Sequence, residues 1–305
     1  MLTFIARRML IIPLVLFITA TLCYFILRTV PGGPFDAEKN LPPQIKANIE
    51  AKYHFNEPLY KQYGRYMNNL LHGDFGPSYK YLNQNVNEII AQAFPISATL
   101  GFLGLLLAVS VGVSAGILAA VRKNTLVDYG AMTLAMTGVS IPNFVLASLL
   151  IIVFVYWLGC LPPAGWGQWK NLILPAFVTG APYAAYFARL ARAGMLEVLQ
   201  QDYVRTAKAK GLSNRKVVLK HALKAGVIPV VSFLGPATAN ILSGSIVVEK
   251  IFDIPGMGTF FVQGTLNRDY LLVVGVVIIF ATLLMVFNTM VDIAYAWLDP
   301  RVRLD

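Results

Sequence analysis

The 305-residue chain is 57% hydrophobic and only 13% charged, with a formal charge of +10, a balance that excludes an ordinary soluble globule. Its basic residues lie in short segments between apolar runs, which reads as membrane topology and argues against a nucleic-acid partner. Those runs approach 20 residues, about the length a helix needs to cross roughly 30 Å of hydrocarbon, so the expectation is an all-α membrane protein and not a barrel.

Six spans are predicted. The first, Met9 to Val30, is long for a signal-peptide core and has no small-residue cleavage site after it, so it is expected to stay as a span. Cys23 within it and Cys160 further on lack the spacing of a metal site or redox pair. The external segment that follows carries helix signals of its own. Pro42-Pro43 can open a helix through Tyr53. Pro58 can open another in which Leu59, Tyr63, Tyr66 and Leu70 share a face and Gly73 is the stop. Asn85 with Glu88 has the spacing of a capping box for a third. The segment is expected to be a small folded cap or a set of helices on the membrane surface.

Span two, Ala98 to Val121, carries Gly104, Ala108, Gly112, Gly116 and Ala120 at a spacing of four. This stripe suits close helix packing inside one bundle or, as the alternative, a subunit contact. Span three runs from Ala131 to Leu158, with a kink expected at Pro142-Asn143. Span four, Leu172 to Leu190, has the weakest signal. Spans five and six cover Val227 to Val248 and Leu271 to Trp297, with Asn240, Ser243, Asn288 and Asp292 as their polar residues. An interhelical hydrogen bond or a hydrated interface accounts for Asp292; proton coupling is the alternative. Fifteen of the 25 basic residues fall before span one, after spans two, four and six, and in the loop after span four. The positive-inside bias therefore puts both termini in the cytoplasm.

The loop 191–226 is too long for a simple connection. Met195 to Lys210 is rich in helix formers, Gly211 can end that helix in a left-handed conformation, and Ser213 can cap a second helix to Lys224. Basic residues (Arg205, Lys208, Lys210, Arg215, Lys216, Lys220) alternate with apolar ones (Val204, Ala207, Val217, Val218, Leu219). The apolar face needs a partner. No G-x-x-x-x-G-K-[ST] phosphate loop is present, so the chain is not expected to hydrolyse ATP. All three histidines, His54, His72 and His221, lie outside the spans, which argues against a buried Ser-His hydrolase.

Tyr203-Val-Arg-Thr-Ala-Lys-Ala-Lys-Gly211 resembles the cytoplasmic E-A-A-x-x-x-G loop of the inner-membrane permease subunits of binding-protein-dependent ABC importers, in the oligopeptide and dipeptide branch. Arg205, Thr206 and Ala207 stand at the E-A-A positions and Gly211 at the glycine. Arg205 replaces the general glutamate, and His221-Ala-Leu-Lys224 lacks the later proline. The resemblance extends to Phe4-Ile-Ala-Arg-Arg8, Gly73-Asp-Phe-Gly-Pro-Ser78, Val248-Glu-Lys-Ile-Phe-Asp-Ile-Pro-Gly-Met-Gly258 and Asn267-Arg-Asp-Tyr270.

It implies a type I importer permease fold: an N-terminal helix (1–30), an external helical segment (31–95) and a core (96–300) that includes the coupling loop. It also implies an ATPase-docking site at Arg205, Thr206, Ala207, Lys208, Ala209, Lys210, Gly211 and Leu212, with no cofactor or metal. The implied partners are a second permease subunit, two ABC ATPase subunits, a periplasmic peptide-binding protein, the peptide and the bilayer of the bacterial inner membrane. Asn143, Asn240 and Ser243 are pathway candidates, able to hold a peptide backbone without reading its sequence. Gly256 and Gly258 mark a gate, a docking surface or a re-entrant connection. An ion-gradient-driven secondary transporter is the competing reading.

Overall fold

In hydrocarbon no water can satisfy an exposed backbone, so an apolar run must close its own hydrogen bonds as a helix. The computed structural model describes residues 2–29, 53–81, 83–242 and 244–298. Its helices are α1 (Leu2–Thr29), α2 (Leu59–Leu71), α3 (Val86–Val121), α4 (Leu126–Ser140), α5 (Asn143–Leu150, followed by π-helical Ile151–Trp157) and α6 (Lys170–Val198). There follow α7 (Asp202–Ala209), α8 (Asn214–Lys216, then π-helical Val217–Ala222, then Leu223–Gly226), α9 (Ile228–Leu242), α10 (Ile246–Ile251), α11 (Met257–Leu266) and α12 (Tyr270–Leu298). Among the described residues the one extended pairing is an isolated bridge between Pro77 and Asn85. The helix expected from Pro42-Pro43 lies outside the described residues.

Among the described residues, four helical stretches are long and apolar enough to cross a membrane: Leu10–Thr29, Val86–Val121, Ile228–Ile251 and Tyr270–Ile293. They cover predicted spans one, two, five and six. The third run is broken and not merely kinked, because α4 and the helix Asn143–Trp157 meet at 108°. Pro142 supplies the cause: its ring disfavours α geometry in the residue before it, and Ile141 is extended at φ −84° and ψ 122°. The fourth lies inside α6, which falls short of the length-and-apolarity criterion. Thirteen of its 29 residues are buried, so a large part of its surface meets protein and needs no strongly apolar coat. The capping box at Asn85 opens α3, with the Asn85 N–H donating to Glu88 Oε2 at 3.3 Å. That helix is 36 residues long, with Pro95 inside it.

The chain divides into two units, Leu2–Ile96 with Pro255–Thr282 and Ser97–Ile254 with Leu283–Asp305. The core of the first gathers Tyr24, Tyr66, Val86, Ile89, Leu272 and Val274. Tyr66 is buried as its helical face predicts, whereas Leu59, assigned to the same face, is half exposed. Asp269 ties this unit together. Its carboxylate accepts the Ser78 hydroxyl and the Tyr79 and Lys80 N–H groups, while Oδ1 accepts the Leu272 N–H at the start of α12. Burial pushes the Asp269 carboxyl up, with the Ser78 hydrogen bond the largest opposing effect.

In the second unit the small-residue stripe of α3 lies on α6. A Cβ at Gly112 would meet the Ala184 carbonyl, and one at Gly116 the Ala188 carbonyl. Gly104 lies 3.3 Å from the Ala176 carbonyl by the same test. The stripe thus serves packing within the chain, the first of the two uses expected for it. Ala135 of α4 joins Ala185 and Ala188 of α6 in a further buried cluster, so α3, α4 and α6 interlock through small side chains that leave little room to slide.

Candidate functional site

The coupling-loop candidate starts where α6 ends. Three residues, 199–201, leave the helix before α7 begins at Asp202, so the helix formers from Met195 to Lys210 build two helices and not one. Gly211 ends α7 as predicted, at φ +79°. Its N–H donates to the Lys208 carbonyl and the Leu212 N–H to the Ala207 carbonyl, the double closure of a Schellman turn. Ser213 precedes α8 in an extended conformation, with no side-chain cap bond.

Side chains sort cleanly around this turn. Val204, Ala207, Val217 and Ala222 are buried with Met195, Val198 and Ala120 in one cluster. The apolar face therefore finds the partner it needs within the chain; Leu219 alone of that set stays exposed. Ala207 is likewise part of the foundation. Arg205, Thr206, Lys208, Ala209, Lys210, Gly211 and Leu212 are all exposed. Together they form one outward surface, a cationic knob eight helical residues long with a tight glycine turn at its tip.

The knob stands on a narrow neck. A Cβ on Gly194, near the end of α6, would strike the carbonyl of Gly226 at the end of α8, and one on Gly226 would strike Met195. Two glycines therefore let the entering and leaving backbones touch.

A second tie joins α6 to α4. Asp128 of α4, 1% exposed, receives Arg192 of α6 through Nε at 2.6 Å and Nη2 at 2.8 Å, the bidentate fork that fits a carboxylate best. Its Oδ2 also accepts the Asn124 N–H at 3.0 Å. The Arg192 hydrogen bonds, and then the Asn124 bond, hold the Asp128 carboxyl well down, to about 2. Sequence reasoning missed this pair. Thr125-x-x-Asp128 has capping-box spacing, but nothing local points to an arginine 64 positions later.

The pathway candidates are not gathered in the same way. Asn143 is the half-buried first residue of α5, Asn240 is exposed on α9, and Ser243 lies outside the described residues. Asp292 is half buried in α12. Two of the family-like motifs do meet: Ser78 of the Gly73–Ser78 element donates to Asp269 of the Asn267–Tyr270 element. Glu249 of the Val248–Gly258 element is fully buried and accepts the Ser97 hydroxyl at 2.8 Å.

Residues 112–304 match the family model of the binding-protein-dependent transport system inner membrane component, and residues 1–101 match the model of its N-terminal region. The chain belongs to this family. Among similar members, the oligopeptide transport system permease protein OppB of Haemophilus influenzae is 50% identical over 305 residues, covering 99% of this chain and all of that protein. OppB of Escherichia coli K12 is 49% identical over the same extent. The dipeptide transport system permease protein DppB of Bacillus subtilis is 43% identical over 287 residues, or 94% of this chain and 93% of that one. A chain from inward-facing structures of the MetNI methionine ABC transporter superposes with a TM-score of 0.57 at 15% identity, over 69% of this chain and 96% of that one. An amino acid ABC transporter chain gives 0.56 at 15% identity, covering 69% of this chain and 94% of that chain. The chain thus shares the fold of these ABC transporter chains, with several apolar helices.

Proposed function

We propose that the chain is one of two channel-forming permease subunits of an ATP-driven importer of oligopeptides in the bacterial inner membrane. It crosses the bilayer six times with both termini in the cytoplasm, the broken α4–α5 run and α6 supplying the third and fourth crossings. A second permease subunit, two ABC ATPases and a periplasmic peptide-binding protein complete the machine. The full-length similarity to oligopeptide and dipeptide permeases supports the cargo class and gives nothing to the ion-gradient alternative. No chemistry on ATP is assigned to this chain; nucleotide energy enters through its partners.

The observation that carries the mechanism is the knob on its glycine neck. An eight-residue helix whose inner face is locked into the chain's own core cannot rock independently of α6. When the ATPases close on nucleotide, force on the outward residues Arg205 to Leu212 passes through the neck at Gly194 and Gly226 into α6. It then reaches α3 through the interlocked glycines and α4 through Asp128 and Arg192. The three helices move together, a rigid-body transition of the kind that opens a central cavity to one side and then the other. Asn143, Asn240 and Ser243 are proposed as pathway residues on that cavity. The test is co-purification from mild detergent with identification of attached chains. Recovery of an ABC ATPase and a second permease supports the reading, and their absence under several mild conditions opposes it.

A further inference from the structure

A small cavity of about 110 Å³ opens between α1, α2 and the loop before α3, lined by Tyr24, Arg28, Gln62, Arg65, Tyr66 and Asn69 among others. One water needs roughly 10–15 Å³ of such space, so a tetrahedral oxyanion fits. Arg28 is held rigidly over it. Its guanidinium lies 4.4 Å above the Tyr24 ring and 5.8 Å from that of Phe55, and Nη1 donates to Gln62 Oε1 at 2.8 Å. Gln62 is itself fixed by donating to the Phe55 and Glu57 carbonyls.

Two donors remain unused. Arg28 Nε is buried without a hydrogen-bond partner, and so is the hydroxyl of Tyr66, a residue only 5% exposed whose ring stacks on Tyr24 at 5.2 Å. Burial pushes the Tyr66 hydroxyl's pKa upward, so it stays a donor at any physiological pH. No carboxylate among the described residues pairs with Arg28, whereas neighbouring Arg65 is neutralised by Glu57 at 2.9 Å. A prepositioned cation and a buried hydroxyl, both short of an acceptor, are costly to leave so.

We infer that this cavity binds a phosphate oxyanion, either a phospholipid headgroup or free phosphate, through Arg28 and Tyr66. Arg28 stands in the last turn of α1, one residue before the end of the apolar stretch Leu10–Thr29. On the reading that α1 spans the bilayer, that is the level of the lipid phosphates, where basic side chains commonly sit.

The full chain is reconstituted in nanodiscs of phosphatidylcholine with or without phosphatidylglycerol, and retained lipid is counted by native mass spectrometry. In parallel, its melting in detergent is followed against inorganic phosphate, with chloride at equal ionic strength as the control. Retention of phosphatidylglycerol identifies the headgroup, and stabilisation by inorganic phosphate identifies the free ion. In either case Tyr66→Phe should weaken binding about tenfold, as loss of a hydrogen bond to a charged group does. Arg28→Gln should abolish it, and Tyr60→Phe, on the exposed side of α2, should change nothing. If wild type gains neither lipid nor stability, or if Tyr66→Phe binds as wild type does, the assignment is overturned. Because Tyr66→Phe removes a single oxygen, it decides the matter even if Arg28→Gln fails to fold.

Discussion

Gly194→Ala puts the neck of the knob under a calculable load. In an open helix position, alanine in place of glycine gains about 1 kcal/mol of helix propensity. At Gly194 the new methyl meets the Gly226 carbonyl oxygen, with the Gly226 carbonyl carbon and Pro229 Cδ each 3.2 Å away. All three atoms belong to backbone or a proline ring, so none can swing aside, and forced repacking of this kind costs about 1–3 kcal/mol. Overpacking therefore outweighs propensity, and the neck relieves it by separating α6 from α8 by a fraction of the ~3.5–4 Å contact distance. Gly130→Ala in α4 is the internal control, since nothing lies within 4 Å of a Cβ there; it should gain up to about 1 kcal/mol. In proteoliposomes containing the full transporter, peptide moved per ATP hydrolysed should fall severalfold for Gly194→Ala and stay at the wild-type value for Gly130→Ala. Equal stoichiometry in both variants, with melting unchanged by Gly194→Ala, would refute the neck as a force-bearing joint.

Three further outcomes are expected. Asp128→Asn and Arg192→Gln should each reduce transport coupling, and the double variant should be little worse than either alone, as partners in one pair behave; full additivity would show that the pair is not a unit. The same pair gives a pH signature. The folded Asp128 carboxyl is depressed to about 2 from an ordinary 3.8, so its contribution to stability is complete above about pH 5 and is lost as pH falls towards 2. Melting of Asp128→Asn across that window should lack the acid-dependent component of wild type. Ser78→Ala leaves the Asp269 carboxylate short of one donor in a buried site and should cost about 1–3 kcal/mol in thermal unfolding, whereas Ser110→Ala, which removes exposed bonds to the Leu106 and Leu107 carbonyls of its own helix, should cost far less.

Local chemistry made much of this legible. Gly211 in a left-handed turn, the cap at Asn85, helix α2 from Pro58 and the disruption at Pro142 each depend on a few neighbouring residues, and each is present. The small-residue stripe of α3 was legible as a packing face, but its choice of α6 was not, because a stripe states how close a neighbour comes and not which neighbour it is. Pro95 lies inside α3, since a helix can pass through a proline when surrounding groups satisfy what its ring displaces. The break at residues 199–201, the Gly194–Gly226 contact and the Asp128–Arg192 fork join positions that have no local signal of one another. For the same reason Val204 and Ala207 read as a surface in want of a partner until Met195 and Val217 are placed against them.

In the proposed mechanism an ATPase grips the outward residues of α7 and its glycine turn. Single cysteines at Arg205 and Lys208, both exposed, should cross-link to the ATPase subunit in native membranes, and the yield should change between nucleotide-free and ATP-trapped states. A cysteine at buried Val204 should not react. Cross-links from Arg205 and Lys208 to lipid alone in every nucleotide state, or labelling of either position from the outside of the cell, would rule out an ATPase grip on α7.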